Sequence, residues 1–371
     1  AVGEWRRAVE EVVRVNEAFW HGRRVFVTGH TGFKGSWLCL WLAWCGAKVV
    51  GYSDTIPTNP SLYEVARVGD ELTSIIGDVR DRDLLCRSLA EHRPEVVLHL
   101  AAQSLVRRSY AQPVLTYETN TIGTLNLLEA VRATDGVRAV VVVTTDKVYE
   151  HHESRRYRED DPLGGHDPYS SSKACAELVT ASYRSAYLGG NSSPAVATAR
   201  AGNVIGGGDW AEDRLVPDLI AALRAGTEIE LRYPGATRPW QHVLNPLDGY
   251  LVLAERLCSD RSAARAWNFG PDASDSRPVE WLVAEVAREW GSPLKITSPP
   301  EAQPAEAPSL ELDSSLARET LGWTPRWDLE QGLRATVEWY RRLDEGEDGR
   351  SLTVAQIEAF AKDSRPASVS A

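Results

Sequence analysis

The chain has 371 residues, enough for one large domain or two of ordinary size, and its 43% hydrophobic and 25% charged composition is that of a folded globular protein. Its 52 acidic and 41 basic side chains leave a formal charge of −11, which argues against nucleic acid or an anionic membrane as the main partner. No apolar stretch approaches the ~20 residues that span a bilayer, residues 1–17 lack the apolar core of a secretory signal, and five cysteines without C-x-x-C spacing read as reduced thiols in a cytoplasmic protein.

Residues 4–20 predict an amphipathic helix within an N-terminal extension over 1–22. From Arg23 onward, short β-branched runs alternate with amphipathic stretches, as crossover helices on a parallel sheet require. The expected strands are Arg24–Thr28, 48–52, 74–76, 96–100, 139–144 and 196–200; the expected helices are 36–45, 114–133 and 169–187. Beyond Gly206 the alternation loosens into a helix over 213–224, a strand over 228–231 and a polar, aromatic segment over 238–243. The Pro/Ala/Glu-rich stretch 298–308 predicts an extended surface run, followed by helices at 316–321 and 329–343. The pattern specifies an α/β fold, with a Rossmann-type doubly wound parallel sheet over 23–203 and a smaller C-terminal α/β lobe over 204–345. A part of that lobe around 240–270 returns to the Rossmann domain, and 346–371 reads as a polar tail. Substrate is expected between the two parts.

The first strand runs into Gly29-His30-Thr31-Gly32-Phe33-Lys34-Gly35 and then a helix. Gly29 suits the tight turn, Gly32 lets backbone approach a pyrophosphate, and Gly35 allows close helix–strand packing, with Thr31 and Phe33 between them. Ser53 and Asp54, ending the second strand, are candidates for the adenosine ribose, and the absence of an adjacent arginine favours NAD over NADP. Asp78 and Val79 end the third strand, where the aspartate can accept from an adenine amino group. Leu100, Ala101, Ala102 and Gln103 end the fourth, and Thr119 and Thr144 complete the expected cofactor contacts.

Tyr169 and Lys173 have Y-x-x-x-K spacing, one helical turn apart on one face. A lysine beside the phenol would lower its pKa and let Tyr169 act as a base, while Lys173 reaches the nicotinamide ribose. The fifth strand ends in Thr145-Asp146-Lys147. Hydride transfer needs only the hydroxyl there. An added acid and amine suit a reaction that also removes a proton and protonates a leaving hydroxyl.

Together these features resemble the short-chain dehydrogenase/reductase superfamily, in its extended branch. The long motifs Val27–Trp37, Pro162–Tyr169, Ala201–Trp210, Arg238–Val243 and Leu321–Trp327 make the chain similar to the nucleotide-sugar 4,6-dehydratases over about residues 20–345. The lysine at 147 resembles the CDP-glucose branch, where dTDP-glucose enzymes carry glutamate. The resemblance implies that Tyr169 takes the C4-hydroxyl proton as NAD accepts a hydride, Thr145 holds the C4 oxygen, Lys147 removes the C5 proton and Asp146 protonates the departing C6 hydroxyl. Hydride return to C6 then gives a 4-keto-6-deoxy sugar. It also implies a nucleotide-sugar substrate, with Arg238 first, then Arg214 and Arg107/Arg108, on the diphosphate, Asn203 and Ser104 nearby, and Trp240 or Trp210 on the base. A homodimer through a four-helix bundle built from helices 114–133 and 169–187 follows as the basic assembly, with a tetramer as the larger form. His151 and His152 are expected to lie on a surface loop, not on a metal. Ser154 and Arg155 stand where the family carries an aromatic residue. The competing readings are a dTDP- or UDP-hexose dehydratase, a 4-epimerase on the same scaffold, or a non-catalytic nucleotide sensor.

Overall fold

A computed structural model describes residues 14–151, 156–297 and 311–363. Expectations for residues 4–13, for His152, Ser154 and Arg155, for the 298–308 stretch and for the end of the tail lie outside the described residues. None of the described helices is long and apolar enough to cross a membrane.

Strands β1 (Arg24–Thr28), β2 (Lys48–Ser53), β3 (Thr73–Ile76), β4 (Val96–His99), β5 (Ala139–Val143) and β6 (Ala195–Arg200) form the sheet. β5, Ala-Val-Val-Val-Val, is buried along its whole length, as a parallel strand covered on both faces must be. Shorter strands follow as β7 (Val204–Ile205), β8 (Ile229–Glu230), β9 (Thr237–Pro239), β10 (Gln241–His242), β11 (Ala266–Asn268), β12 (Ser276–Pro278) and β13 (Ile296–Thr297). β11 rejoins the main sheet beside β6, giving the order β11-β6-β5-β4-β1-β2-β3, with every pairing parallel. The order reverses between β1 and β4, and the carboxyl edge there is where a doubly wound sheet opens a crevice.

In chain order the helices begin with a single turn, α1 (Glu17–Trp20), whose buried Trp20 donates its indole N–H to Glu255 at 2.6 Å. Next come α2 (Phe33–Trp44), the short α3 (Leu62–Val65), α4 (Arg82–His92), α5 (Val106–Ala111), α6 (Pro113–Tyr117) and α7 (Gly123–Arg132). A π-turn at Glu118–Ile122 joins α6 to α7, so the helix expected over 114–133 is continuous but locally widened. The long α8 (Pro168–Ala186) is capped by Asp167, which accepts from the Ser170 amide. α4, α7 and α8 cover one face of the sheet with Leu85, Leu89, Leu127 and Leu128. α2 and α10 (Leu244–Ser259) cover the other, and α9 (Leu215–Ala225) precedes α10 in the lobe. α11 (Val279–Trp290) and α12 (Leu329–Asp344) pack together in the lobe.

The polar-tail expectation after residue 345 needs correction. α13 (Gly349–Lys362) buries Leu352, Ile357 and Phe360, and Phe360 meets Trp41 and Trp327 edge-on at 5.5 and 5.3 Å. Its apolar stripe is thin within a polar sequence, so the helical period is weak until the aromatic partners are known. The 316–321 helix is likewise a π-turn, Ala317–Leu321, closed by Gly322 at φ 69°.

Candidate active site

The dinucleotide loop is held by close backbone packing. Gly29 sits at φ 78°, and a Cβ there would stand 2.7 Å from the Ala101 amide nitrogen; at Gly35 it would collide with the Gly29 carbonyl oxygen. Gly32 differs, because a Cβ would meet only that oxygen, at 3.4 Å, leaving its outer face open. No side chain caps the first turn of α2. An open glycine face at an uncapped helix N-terminus fits the pyrophosphate of a dinucleotide. Thr31 donates its hydroxyl to the Thr55 carbonyl at 2.6 Å, and its amide reaches Ser53 Oγ at 3.4 Å, tying the loop to the end of β2. Asp54, just beyond, is exposed. His30 turns inward to Ser74 at 2.7 Å, and burial pushes its pKa down to about 4, so it is neutral packing.

Burial raises the Asp78 carboxyl, but hydrogen bonds from the Arg80 guanidinium (2.8 Å) and amide (2.8 Å) outweigh this and hold it below the usual carboxylate range. Val79, next in the chain, is buried. Leu100 and Ala101 donate their amides to Thr28 Oγ1 at 3.2 and 3.1 Å; Ala102 is half-buried beside them. Gln103 donates its amide to Asn120 at 2.8 Å, and Asn120 donates back to the Gln103 carbonyl and to Ser172 on α8. Thr119 is half-buried on the adjoining π-turn. Thr144 departs from expectation. Its hydroxyl donates to the buried Glu177 carboxylate at 2.6 Å, away from the cofactor contact expected of it.

β5 passes through Thr144 into a short 3-10 turn, Asp146–Val148, capped by Thr145. Thr145 donates its hydroxyl to Asp146 Oδ1 at 2.9 Å, and Lys147 Nζ donates to the same oxygen and to Asn203 Oδ1, each at 3.4 Å. Asp146 is 1% exposed, and Gly202 makes room for it: a Cβ there would lie 2.7 Å from Asp146 Oδ2. Tyr169 from α8 hydrogen-bonds Thr145. Burial pushes its phenol above the ordinary value, while the Lys147 ammonium and the Thr145 hydrogen bond pull it back and Asp146 pushes it further up. The opposing cation is thus Lys147 and not Lys173, the partner that the spacing suggested. Lys173 instead donates to the Val143 carbonyl at 3.1 Å, and burial lowers its pKa to about 8 against the Glu177 charge.

On the substrate side, Arg214 donates to Ser104 Oγ and to Asp209 Oδ2, each at 3.2 Å. Arg107 donates to Asp213 at 2.8 Å, Arg232 joins that carboxylate at 3.4 Å, and exposed Arg108 binds Gln112. Arg238 lies half-buried on β9, donating to the Thr237 carbonyl at 3.0 Å. The two tryptophans expected on the base belong elsewhere. Trp240 is buried in the main core, and Trp210 packs edge-on to Trp339 and Tyr340, both at 5.8 Å.

Sequence reasoning assigned no role to Lys34, Glu177, Arg200 or Asn120. Lys34, on the dinucleotide loop, lies 5.8 Å over the Tyr250 ring. Burial, then Arg214, Lys173 and Lys147, lower its pKa to about 7 despite Asp146. Its signal was a lysine set between Phe33 and Gly35 in the glycine loop. For Arg200 the signal was a lone charge in the fully buried β6, and for Glu177 an acid one turn beyond Lys173 on the same buried face of α8.

The family described as GDP-mannose 4,6 dehydratase matches residues 26–336. A CDP-glucose 4,6-dehydratase of Salmonella typhimurium is 48% identical over 344 residues, 90% of this chain and 95% of that protein. A UDP-glucose 4-epimerase of Mycolicibacterium smegmatis is 32% identical, over 86% of this chain and 98% of that one. The solved dTDP-glucose 4,6-dehydratase of Streptomyces venezuelae, with NAD bound, superposes at a TM-score of 0.75 and 27% identity, covering 88% of this chain and 99% of that one. The chain belongs to the GDP-mannose 4,6-dehydratase family, in the extended short-chain dehydrogenase/reductase superfamily.

Proposed function

We propose that this chain is an NAD-dependent hydro-lyase that converts CDP-glucose to CDP-4-keto-6-deoxyglucose. The observation that carries this reading is the contact of the Thr145-Asp146-Lys147 turn with Tyr169, which puts an acid and an amine beside the phenol of an oxidoreductase helix. The similarity to the Salmonella typhimurium CDP-glucose enzyme supports the choice of nucleotide.

Bound NAD supplies the hydride acceptor at C4 and the hydride donor at C6. Gly29, Thr31, Gly32, Phe33 and Gly35 cradle its pyrophosphate, Ser53, Asp54, Asp78 and Val79 line the adenosine end, and Lys173 holds the nicotinamide ribose. Tyr169 removes the C4-hydroxyl proton while Thr145 holds the C4 oxygen. The resulting 4-ketone acidifies C5–H, and Lys147 takes that proton. Asp146 gives a proton to the C6 hydroxyl, which leaves as water, and a proton returns to C5 as hydride reaches C6. Asn203 orients Lys147 from the far side of Asp146, and Arg238, Arg214 and Arg107 meet the diphosphate.

Tyr110, Val114, Ile122 and Leu178 are large apolar side chains, each more than two-fifths exposed, along α5–α8. They support a homodimer formed through these helices. Five cysteines, none disulfide-bonded, suit a cytoplasmic setting.

Incubation with CDP-, dTDP- or UDP-glucose in deuterated water, followed by mass spectrometry, tests the assignment. Loss of water with one deuterium gained at C5, fastest with CDP-glucose, is the expected result. An isomeric product inverted at C4 would make the protein an epimerase, and preference for another nucleotide would move the substrate.

A further inference from the structure

Glu177 lies one turn beyond Lys173 and two turns beyond Tyr169 on α8, and it is 3% exposed. Its carboxylate accepts hydrogen bonds from Thr144 Oγ1 at 2.6 Å, Thr198 Oγ1 at 2.7 Å, and two Arg200 nitrogens at 2.9 Å each. Arg200 is equally buried. Its remaining terminal nitrogen donates to the Tyr149 hydroxyl at 2.8 Å and the Glu159 carbonyl at 3.1 Å. Tyr149 in turn donates to Asn268 on β11 at 2.7 Å.

Thr144 and Tyr149 are the residues immediately before and after Thr145–Val148, the turn that carries Asp146 and Lys147. One buried ion pair therefore grips both ends of that turn, and its acidic member stands on the helix that carries Tyr169 and Lys173. For stability alone, packed hydrophobic side chains would serve as well as a buried pair. What a pair with every hydrogen bond made adds is direction, since each bond fixes one element against another to a few tenths of an ångström.

We propose that Glu177 and Arg200 are positioning residues for the dehydration step, locking the Asp146/Lys147 turn in register with the Tyr169/Lys173 helix. The role rests on the dehydratase reading. Oxidation at C4 uses Tyr169 and Lys173 on the helix with Thr145 at the start of the turn, whereas elimination between C5 and C6 uses Asp146 and Lys147 within the turn. A loosened clamp lets oxidation proceed while elimination lags. The 4-keto sugar nucleotide, short of two hydrogens but still holding its C6 hydroxyl, then accumulates or escapes, and the hydride stays on the enzyme as NADH.

The test compares Thr144→Val with Thr198→Val. Both are isosteric, and both remove one hydrogen bond of nearly equal length from Glu177, but only Thr144 adjoins the turn. Tyr149→Phe loosens the other flank. Steady-state NADH absorbance and product masses are read with whichever sugar nucleotide the unaltered enzyme dehydrates, so an error in the nucleotide shows separately from an error in the clamp. Thr144→Val and Tyr149→Phe are expected to raise the ratio of 4-keto sugar still bearing its C6 hydroxyl to dehydrated product by about tenfold, with Thr198→Val at the unaltered ratio. Equal ratios in all three variants would overturn the proposal, as would slower turnover without NADH accumulation. Thermal melts of each variant separate loss of register from loss of fold.

Discussion

Gly202→Ala probes the turn proposed for catalysis from its other side. A Cβ at this position would stand 2.7 Å from Asp146 Oδ2, where ordinary contact begins at 3.4 Å, so about 0.7 Å must be found. Retreat is blocked, because Pro239 Cγ lies 3.3 Å from the same point. Asp146 has to yield, and it is tied to Thr145 at 2.9 Å and to Lys147 at 3.4 Å, so all three move together. Misplacing a catalytic group by ~1 Å costs about a hundredfold, so elimination should slow by roughly tenfold to a hundredfold, or ~1.4–2.7 kcal/mol of barrier. Gly202 is not in a left-handed conformation, so the backbone tolerates alanine and the stability loss should stay near the ~1–3 kcal/mol of an overpacked site. The assay is steady-state dehydration of CDP-glucose by mass spectrometry, with thermal melts alongside. Wild-type turnover in Gly202→Ala would mean that Asp146 does not need its present place, and the acid role assigned to it would fall.

Lys147→Met should retain reduction of bound NAD by CDP-glucose but lose deuterium uptake at C5 by at least a hundredfold; uptake near the unaltered rate would reassign the base. Gly35→Ala, whose methyl meets the Gly29 carbonyl oxygen, should weaken NAD binding by more than tenfold in calorimetric titration, and unchanged affinity would refute the loop assignment. Leu178→Glu, at a site 59% exposed, should shift light-scattering mass from the proposed dimer to monomer, and an unaltered chain already of monomer mass would refute the interface. Lys34→Met concerns pH. The folded chain holds the Lys34 proton only below about 7, the unfolded chain to its ordinary value near 10.5, so this group makes stability rise with pH across that window by up to ~1.4 kcal/mol per unit. Denaturant melts at pH 7.5 and 9, both chosen as about mid-window, should show a flatter slope in Lys34→Met; an unchanged slope would show that Lys34 is not desolvated.

The sheet was legible because its signals are local. The valine run of β5 and the glycine loop after β1 identify themselves without knowledge of their partners. The Thr145–Lys147 turn and the Tyr169/Lys173 pair, proposed for catalysis, stand out in the sequence for the same reason, as contiguous or one-turn patterns. What failed depended on distant packing. Trp240 and Trp210 looked available because an indole reads alike in a core and against a base; only Trp339, Tyr340 and the lobe's folding back decide between them. Thr144 adjoins the cofactor crevice in sequence, yet its hydroxyl is claimed by a carboxylate 33 residues away. The role of Lys173 in lowering the Tyr169 phenol was inferred from helix spacing, whereas the approach of Lys147 across the turn required the tertiary fold.

The charge pattern of the site bears on how a lysine can serve as the base at all. A chain of net charge −11 nevertheless brings Lys147, Lys173 and Arg214 close enough to act on Lys34, with Asp146 as the carboxylate among them. Such a cluster is unfavourable in the free protein, and the lowering of Lys34 to about 7, which burial begins and the surrounding cations deepen, records that cost; Lys173 is lowered to about 8 by burial alone, against the Glu177 charge. The same field favours each anionic species that the proposed chemistry requires, namely the diphosphate on arrival, the Tyr169 phenolate during oxidation and the enolate left when C5 loses its proton. Substituting glutamate at 147 would remove one cation from that field as well as changing the base. Lys147→Glu should therefore not convert this site into a working carboxylate-base dehydratase, because Lys34 and Arg214 would pair with the new carboxylate and hold it ionised but engaged. Kinetics of Lys147→Glu alone and with Lys34→Ile would decide the point: if the single variant turns over as well as the double, the surrounding cations are irrelevant to the choice of base.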